Sequence, residues 1–406
     1  MQTENSEIIN NFFKKTFQSE KDPANLHNCI GYSCTYIPEE ILISGNLNAI
    51  RIKGDINSRF AEGYLPVNFC PYIKAIWEEA HKKSKFPGSI IFATSCDGMR
   101  RLYDLFSVYN KETPSFILDV PRNYDKNSCE FFKERLKKLL EFVKSVSSNS
   151  NINSKDLIKS VAIINNKRKL LSQLTLFYES DSNNFISTSQ YFKIMDLAVS
   201  TENKIFIPDI ENFIKNFLKI TDNEEFLTNI KNSANNLKIM VIGNYINDEK
   251  FWEIFSDLNI KVISGDLCAS SRYFDFQINL NDLDIETKKC NLDSLNEQKN
   301  KENDEDYINI ILDAIARGYL KKPFCFRMTA LNEKLNSIKN TIISKKINAV
   351  IFASLKFCDN TLYFYPELKK ELEKLNIPSL FLDIEYGSSS LGQIRTRIEA
   401  FYEMLT

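Results

Sequence analysis

NAVIFASLKFCD, residues 348–359, is an apolar, β-branched run that stops at a cysteine and an aspartate. GSIIFATSCD, residues 88–97, has the same form. Each leads through an amphipathic stretch to a second apolar run, IPSLFLDIEY at 377–386 and PSFILDVPR at 114–122. Short apolar runs bounded by turn residues read as buried strands, and strands that alternate with helices predict parallel sheets.

Outward from these runs the pattern repeats. NAIRIKG (48–54), KIMVIGN (238–244) and IKVISGD (260–266) read as further strands. YIKAIWEEAHKK (72–83), NDEKFWEIFSDL (247–258) and NTIISKK (340–346) read as helices. PEEILISGNLNAIRIKG (38–54) parallels DEKFWEIFSDLNIKVISGD (248–266). The expectation is an α/β protein with two doubly wound, Rossmann- or flavodoxin-like parallel-sheet domains related by internal duplication. Residues 1–145 form the first and 237–406 the second, with a mostly helical region over 146–236. SVSSNSNINS (145–154) reads as a connecting loop. Residues 281–307 read as a charged insertion that contains Cys290.

The 406 residues suffice for two or three domains, and 43% hydrophobic with 26% charged content is that of an ordinary globular protein. A net charge of −1 gives no reason to expect nucleic acid or an acidic membrane as partner. The N-terminus lacks the features of a signal peptide, and no run is long enough to span a membrane, so a cytoplasmic location is expected. In that compartment disulfides are uncommon. With only His27 and His81 present, histidine-built metal sites and hydrolase triads are disfavoured.

Thiols remain. Six of the nine cysteines sit where strands end or helices begin, three per half. Cys34, Cys70 and Cys96 lie in the first half, Cys268, Cys325 and Cys358 in the second. Cys96, Cys268 and Cys358 follow predicted strands, at the edge where doubly wound sheets bind ligands. Cys70 and Cys325 precede predicted helices, whose N-termini favour a thiolate. Cys34 occupies a turn before PEEIL. Such thiols either pack as small hydrophobes or ligate metal, and three per half with so little histidine points to iron–sulfur ligation. Cys29, Cys129 and Cys290 read as a loop, a helix and an insertion residue without a ligand role.

Around these residues the chain resembles a known family. GYSCTYIPEEILISGNLNAIRIKG (31–54), LPVNFCPYIK (65–74), SCDGMRRLYDL (95–105), LDVPR (118–122), GDLCASSRYF (265–274), LKFCD (355–359) and LDIEYGSSSLGQIRTRIEAFYEML (382–405) look like the D-component family of 2-hydroxyacyl-CoA dehydratases and benzoyl-CoA reductases. The resemblance implies a [4Fe-4S] cluster held by Cys70, Cys96 and Cys358 with one iron open. It also implies a separate iron–sulfur activator that hydrolyses ATP and supplies low-potential electrons. The extra Cys34, Cys268 and Cys325 resemble the family's double-cubane branch, which needs six thiolates. The substrate is then a small molecule or an acyl-CoA, and the assembly a homodimer or a heterodimer with a related subunit. A non-catalytic electron carrier is the third reading.

Several neighbours invite roles. Glu40, beside Glu39 at a helix start, is the candidate for proton transfer during catalysis, against a plain helix-dipole role. Asp97 and Asp359 read as helix caps. Arg100 and Arg101 offset cluster charge, bind a CoA phosphate, or face solvent. Gly387–Ser390, with Arg395 and Arg397 beyond, reads as an anion loop or a plain helix start.

Overall fold

The computed structural model describes residues 8–16, 28–56, 60–82, 86–180, 185–221, 237–280 and 301–406. Cys290 and His27 lie outside these residues. After a helical stretch over 8–16 come β1 (Cys29–Tyr32), α1 (Glu39–Ser44), β2 (Asn48–Arg51), α2 (Pro71–Lys82), β3 (Ser89–Ala93), α3 (Asp97–Tyr109), β4 (Ser115–Leu118) and α4 (Lys126–Val146). Three helices follow: α5 (Ser154–Glu179), α6 (Thr188–Ser200) and α7 (Asn203–Thr221). The last part comprises β5 (Lys238–Gly243), α8 (Glu249–Asp257), β6 (Lys261–Asp266), α9 (Ser271–Phe274), α10 (Lys301–Lys321), α11 (Leu331–Lys345), β7 (Ala349–Leu355), α12 (Asp359–Lys374), β8 (Ser379–Ile384) and α13 (Ser388–Leu405). No helix among the described residues is long and apolar enough to cross a membrane.

The strands form two four-stranded parallel sheets, in the orders β2-β1-β3-β4 and β6-β5-β7-β8. The orders are the same, which is the architecture the repeated pattern predicts. Strand periodicity explains the layering. Ile90 and Phe92 of β3 pack with Ile76 and Trp77 of α2 and Leu102 and Phe106 of α3. Ile91 and Ala93 face the other way, against Ile41 of α1 and Phe132 and Leu136 of α4. β7 repeats the scheme: Ile351 and Ala353 join the core of α8 and α13, while Val350 and Phe352 meet α11 and α12. Each of the buried Ile, Val, Leu and Phe side chains contributes about 1.5–3 kcal/mol.

One expectation needs correction. Cys29 is not in a loop but opens β1, a four-residue strand that the sequence pattern does not reveal. Its CIGY run is short and broken by Gly31. A Cβ there would lie 2.6 Å from Pro87 Cγ and 2.7 Å from Ile52 Cδ1, so the strand requires glycine at this close approach. The placing of α10 is a further finding. It follows β6 in sequence yet buries Leu312, Ile315 and Leu320 in the core that holds α1 and α4.

The helical region joins the halves. Leu171, Phe192, Phe206 and Phe213 share one core with Ile90 of the first sheet and Ile239 of the second. Polar links then connect the carboxyl edges of the two sheets. Asn247, just past β5, donates to the carbonyl of Lys53, just past β2, at 2.7 Å. Asn360 at the start of α12 donates to the Ser95 carbonyl at 3.3 Å. Arg327 donates to the Val120 carbonyl at 2.7 Å and the Pro121 carbonyl at 2.8 Å. The two strand-end edges therefore face each other across one crevice.

Candidate functional site: a thiol-lined crevice

All six cysteines reach this crevice, but not grouped by sequence half. Cys96 is the N-cap of α3, and its Sγ accepts from the Met99 N–H at 3.4 Å. Cys70 precedes α2, where Pro71 fills the first helical position, which needs no donor. Cys358 is the N-cap of α12, and Asn244, just past β5, donates to its Sγ at 3.2 Å. Burial pushes the Cys70 thiol well up, and Cys358 and Cys96 push it further. Burial also takes Cys96 up to about 11, opposed by the Met99 N–H and reinforced by Cys358 and Cys34. These three thiols, from both domains, form one set.

The second set is Cys34, Cys268 and Cys325. Cys34 lies two residues past β1 and Cys268 two past β6. Cys325 sits in the loop between α10 and α11, six residues before the helix rather than at its start. Arg272, on the short α9, donates to both Cys268 Sγ and Cys325 Sγ at 3.7 Å. Burial raises the Cys268 thiol, with Arg272 and Arg51 opposing and Cys325 and Cys34 adding. At Cys325 burial is overcome by Arg272 and Arg327, and the thiol falls below its ordinary value. Cys34 links the sets, since its charge is felt at Cys96 and at Cys268.

The surroundings differ in charge. Buried Arg51, Arg272, Lys322, Arg327 and Lys334 gather around the second set. One buried carboxylate, Asp266, answers them, bonded to Lys334 and, at 2.8 Å, to Arg272. Burial lowers Lys322 to about 7 against the pull of Cys34. These cations escape a reading of sequence because each owes its place to the fold. Arg51 and Arg272 did leave a signal: one ends an apolar strand, the other lies four residues after Cys268. A cavity of about 260 Å³ opens onto this set, lined by Arg122, Cys325, Arg327, Lys334, Asn360 and Tyr363. Among the described residues no three His, Cys, Asp or Glu side chains converge tightly enough to hold a single metal ion.

Other candidates lie elsewhere. Glu40 is fully buried, with one carboxylate oxygen 2.7 Å from Arg168 Nη1 and the other 2.7 Å from the Tyr319 hydroxyl. Glu39 accepts from Tyr32 at 2.6 Å and Lys167 at 2.7 Å. Asp97 and Asp359 are not the caps; the cysteines before them hold that position. Arg100 is exposed, and Arg101 pairs with Asp97 and Asp104 on a solvated helix face. Gly387, at φ 107°, is the N-cap of α13. Beyond it Arg395 pairs with Asp257 and Glu399, and Arg397 donates to the Phe381 carbonyl. Cys129 is buried in α4.

Comparison with known proteins agrees with this architecture's sequence motifs. The family described as 2-hydroxyglutaryl-CoA dehydratase, D-component, matches residues 34–405. The chain is 20% identical over 411 residues to the (R)-phenyllactyl-CoA dehydratase beta subunit of Clostridium sporogenes, covering 99% of this chain and 100% of that one. It is 22% identical over 386 residues to the lactoyl-CoA dehydratase subunit beta of Anaerotignum propionicum, covering 93% and 91%. A 76-residue stretch is 30% identical to the (R)-2-hydroxyglutaryl-CoA dehydratase subunit beta of Acidaminococcus fermentans, 19% of this chain and 20% of that one. With almost its whole length matched, the chain belongs to the 2-hydroxyglutaryl-CoA dehydratase D-component family.

Proposed function

We propose that this chain is the iron–sulfur component of a cytoplasmic, ATP-dependent reductase of the dehydratase family, with a double-cubane cluster held by Cys34, Cys70, Cys96, Cys268, Cys325 and Cys358. The carrying observation is that hydrogen bonds bring the segments of six free thiols to one crevice: Arg272 bridges Cys268 and Cys325, Lys322 reaches Thr35 beside Cys34, the Tyr72 hydroxyl just past Cys70 reaches the Ser33 carbonyl, and Asn360 just past Cys358 reaches the Ser95 carbonyl beside Cys96. Two further features fit an anionic group there. The second set has five buried cations beside one carboxylate, and buried guanidinium N–H groups of Arg51 have no partner. The thiols of a cubane each bind a different iron, so they need not converge on a single point.

When bound, the cluster would supply low-potential electrons; in this reading a separate ATP-hydrolysing activator reduces it. The chain's own residues hold and shield it. Asn244 fixes the Cys358 sulfur, the Met99 N–H fixes that of Cys96, and Arg272 bridges Cys268 and Cys325. Outer-sphere donors of this kind orient ligands and tune the centre. The cavity beside Cys325 gives a small substrate its approach. Glu40 is bonded at both oxygens, by Arg168 and by the Tyr319 hydroxyl, and in this reading it serves the buried network rather than the cluster. The assembly in this reading is a homodimer.

A second reading is favoured by the relatives, which are beta subunits of acyl-CoA dehydratases. It has a single cluster at Cys70, Cys96 and Cys358, and a heterodimer with a related subunit. Anaerobic iron and sulfide quantification separates the two. The double cubane predicts about eight irons per chain, falling by half or more in Cys268→Ala and Cys325→Ala variants. About four irons, unchanged in both variants, would reject the six-thiolate site and leave the second reading.

A further inference from the structure

Arg51 ends β2 at the carboxyl edge and is 4% exposed. Its guanidinium carbon lies 4.0 Å from the Tyr245 ring centroid and 5.8 Å from that of Tyr72. Nη2 donates to the Ser33 carbonyl at a long 3.4 Å. Nε and Nη1 are buried and have no hydrogen-bond partner. The neighbouring cations are provided for. Arg272 and Lys334 share Asp266, Arg327 ends in backbone carbonyls, and Lys322 rests on Thr35. Arg51 differs in leaving two of its three nitrogens without a hydrogen-bond partner, where Arg272 and Arg327 each leave only Nε so.

A buried charge without a counterion is among the costliest arrangements in a folded protein. Its field reaches Cys34 and Cys268 of one thiol set. It also reaches Tyr386, which neighbours Cys70 of the other set. The tyrosine faces supply only a partial answer to its charge.

We propose that Arg51 is the positioning residue for the sulfur-rich anion bound by the six thiols, donating its unmet N–H groups to that anion and raising its reduction potential by its charge. This rests on the iron–sulfur reading above. Hydrogen bonds to sulfur and local net charge are the levers that set such potentials. Before loading, Arg51 is a source of instability that the folded chain tolerates. After loading, it becomes a stabilising contact.

The test compares Arg51→Met and Arg51→Lys with the wild type, each iron-free and each after anaerobic iron and sulfide loading. Thermal melting and an EPR-monitored redox titration are the readouts. Arg51→Met leaves the iron-free melting temperature unchanged or raises it, yet lowers that of the loaded chain. It also shifts the midpoint potential to more negative values. Arg51→Lys, which keeps the charge, restores most of the potential but loses part of the thermal gain on loading. Equal losses of melting temperature with and without iron would make Arg51 a structural residue and overturn the proposal. So would an unaltered potential in a loaded Arg51→Met protein. Failure of the wild type itself to take up iron would defeat the underlying reading first, and that outcome is seen before any variant is compared.

Discussion

Glu40 and Arg168 meet at 2.7 Å with neither side chain open to solvent. Their partners, Tyr319 to both and Phe276 stacked 4.0 Å from the guanidinium carbon, complete a buried network that ties α1 to α5 and α10. A buried pair of this kind adds little over an apolar one, but losing one member strands the other charge. Glu40→Gln is therefore expected to destabilise the iron-free chain by about 3–5 kcal/mol, read by urea denaturation, with iron content per folded chain unchanged. Loss of iron without loss of stability would return Glu40 to the site. The acidic pair at the helix start is visible in sequence. Its partners are not, because Lys167 and Arg168 stand 128 positions away and only the fold brings them in. A helix-start acid whose partner is unknown invites a catalytic role; the structure adds the Arg168 and Tyr319 bonds that sequence could not name.

Strands and helices were mostly legible, for physical reasons that also explain the exceptions. β3 and β7 are buried on both faces and so read as continuous apolar runs. β1 escaped because Gly31 interrupts a run of only four residues. Its glycine is an element-level requirement: Gly31→Ala pushes a methyl into Pro87 and Ile52. Overpacking of this kind costs about 1–3 kcal/mol, measurable by denaturation, and a neutral result would mean that β1 can shift away from its neighbours. α10 shows a different limit. The sequence reading places only a charged insertion at its start, and the core that receives the helix belongs to the first sheet, a choice that nothing local encodes. The cysteines at strand ends were legible one by one, since the positions of Cys96 and Cys358 at helix N-caps follow from their strands.

At the scale of the molecule the duplication is real in topology and incomplete in the site. Cys70 and Cys325 both lie ahead of the helix that feeds the third strand of their sheet, and Cys96 and Cys358 both end that strand. Cys34 follows β1 whereas Cys268 follows β6, so the third pair breaks the correspondence. A division of thiols by sequence half is thus replaced by a division in space, Cys70 with Cys96 and Cys358, Cys34 with Cys268 and Cys325. That exchange arises because the carboxyl edges of the two sheets face each other, and it could not be read without them. The cations follow the same division, crowding one set and leaving the other to Asn244 and backbone N–H groups. Anomalous diffraction at the iron edge, from crystals of anaerobically purified protein, tests the whole arrangement directly. The account predicts iron density against both thiol sets, in one contiguous group within the crevice. Iron against Cys70, Cys96 and Cys358 alone, with Cys34, Cys268 and Cys325 remaining as free thiols, would contradict it.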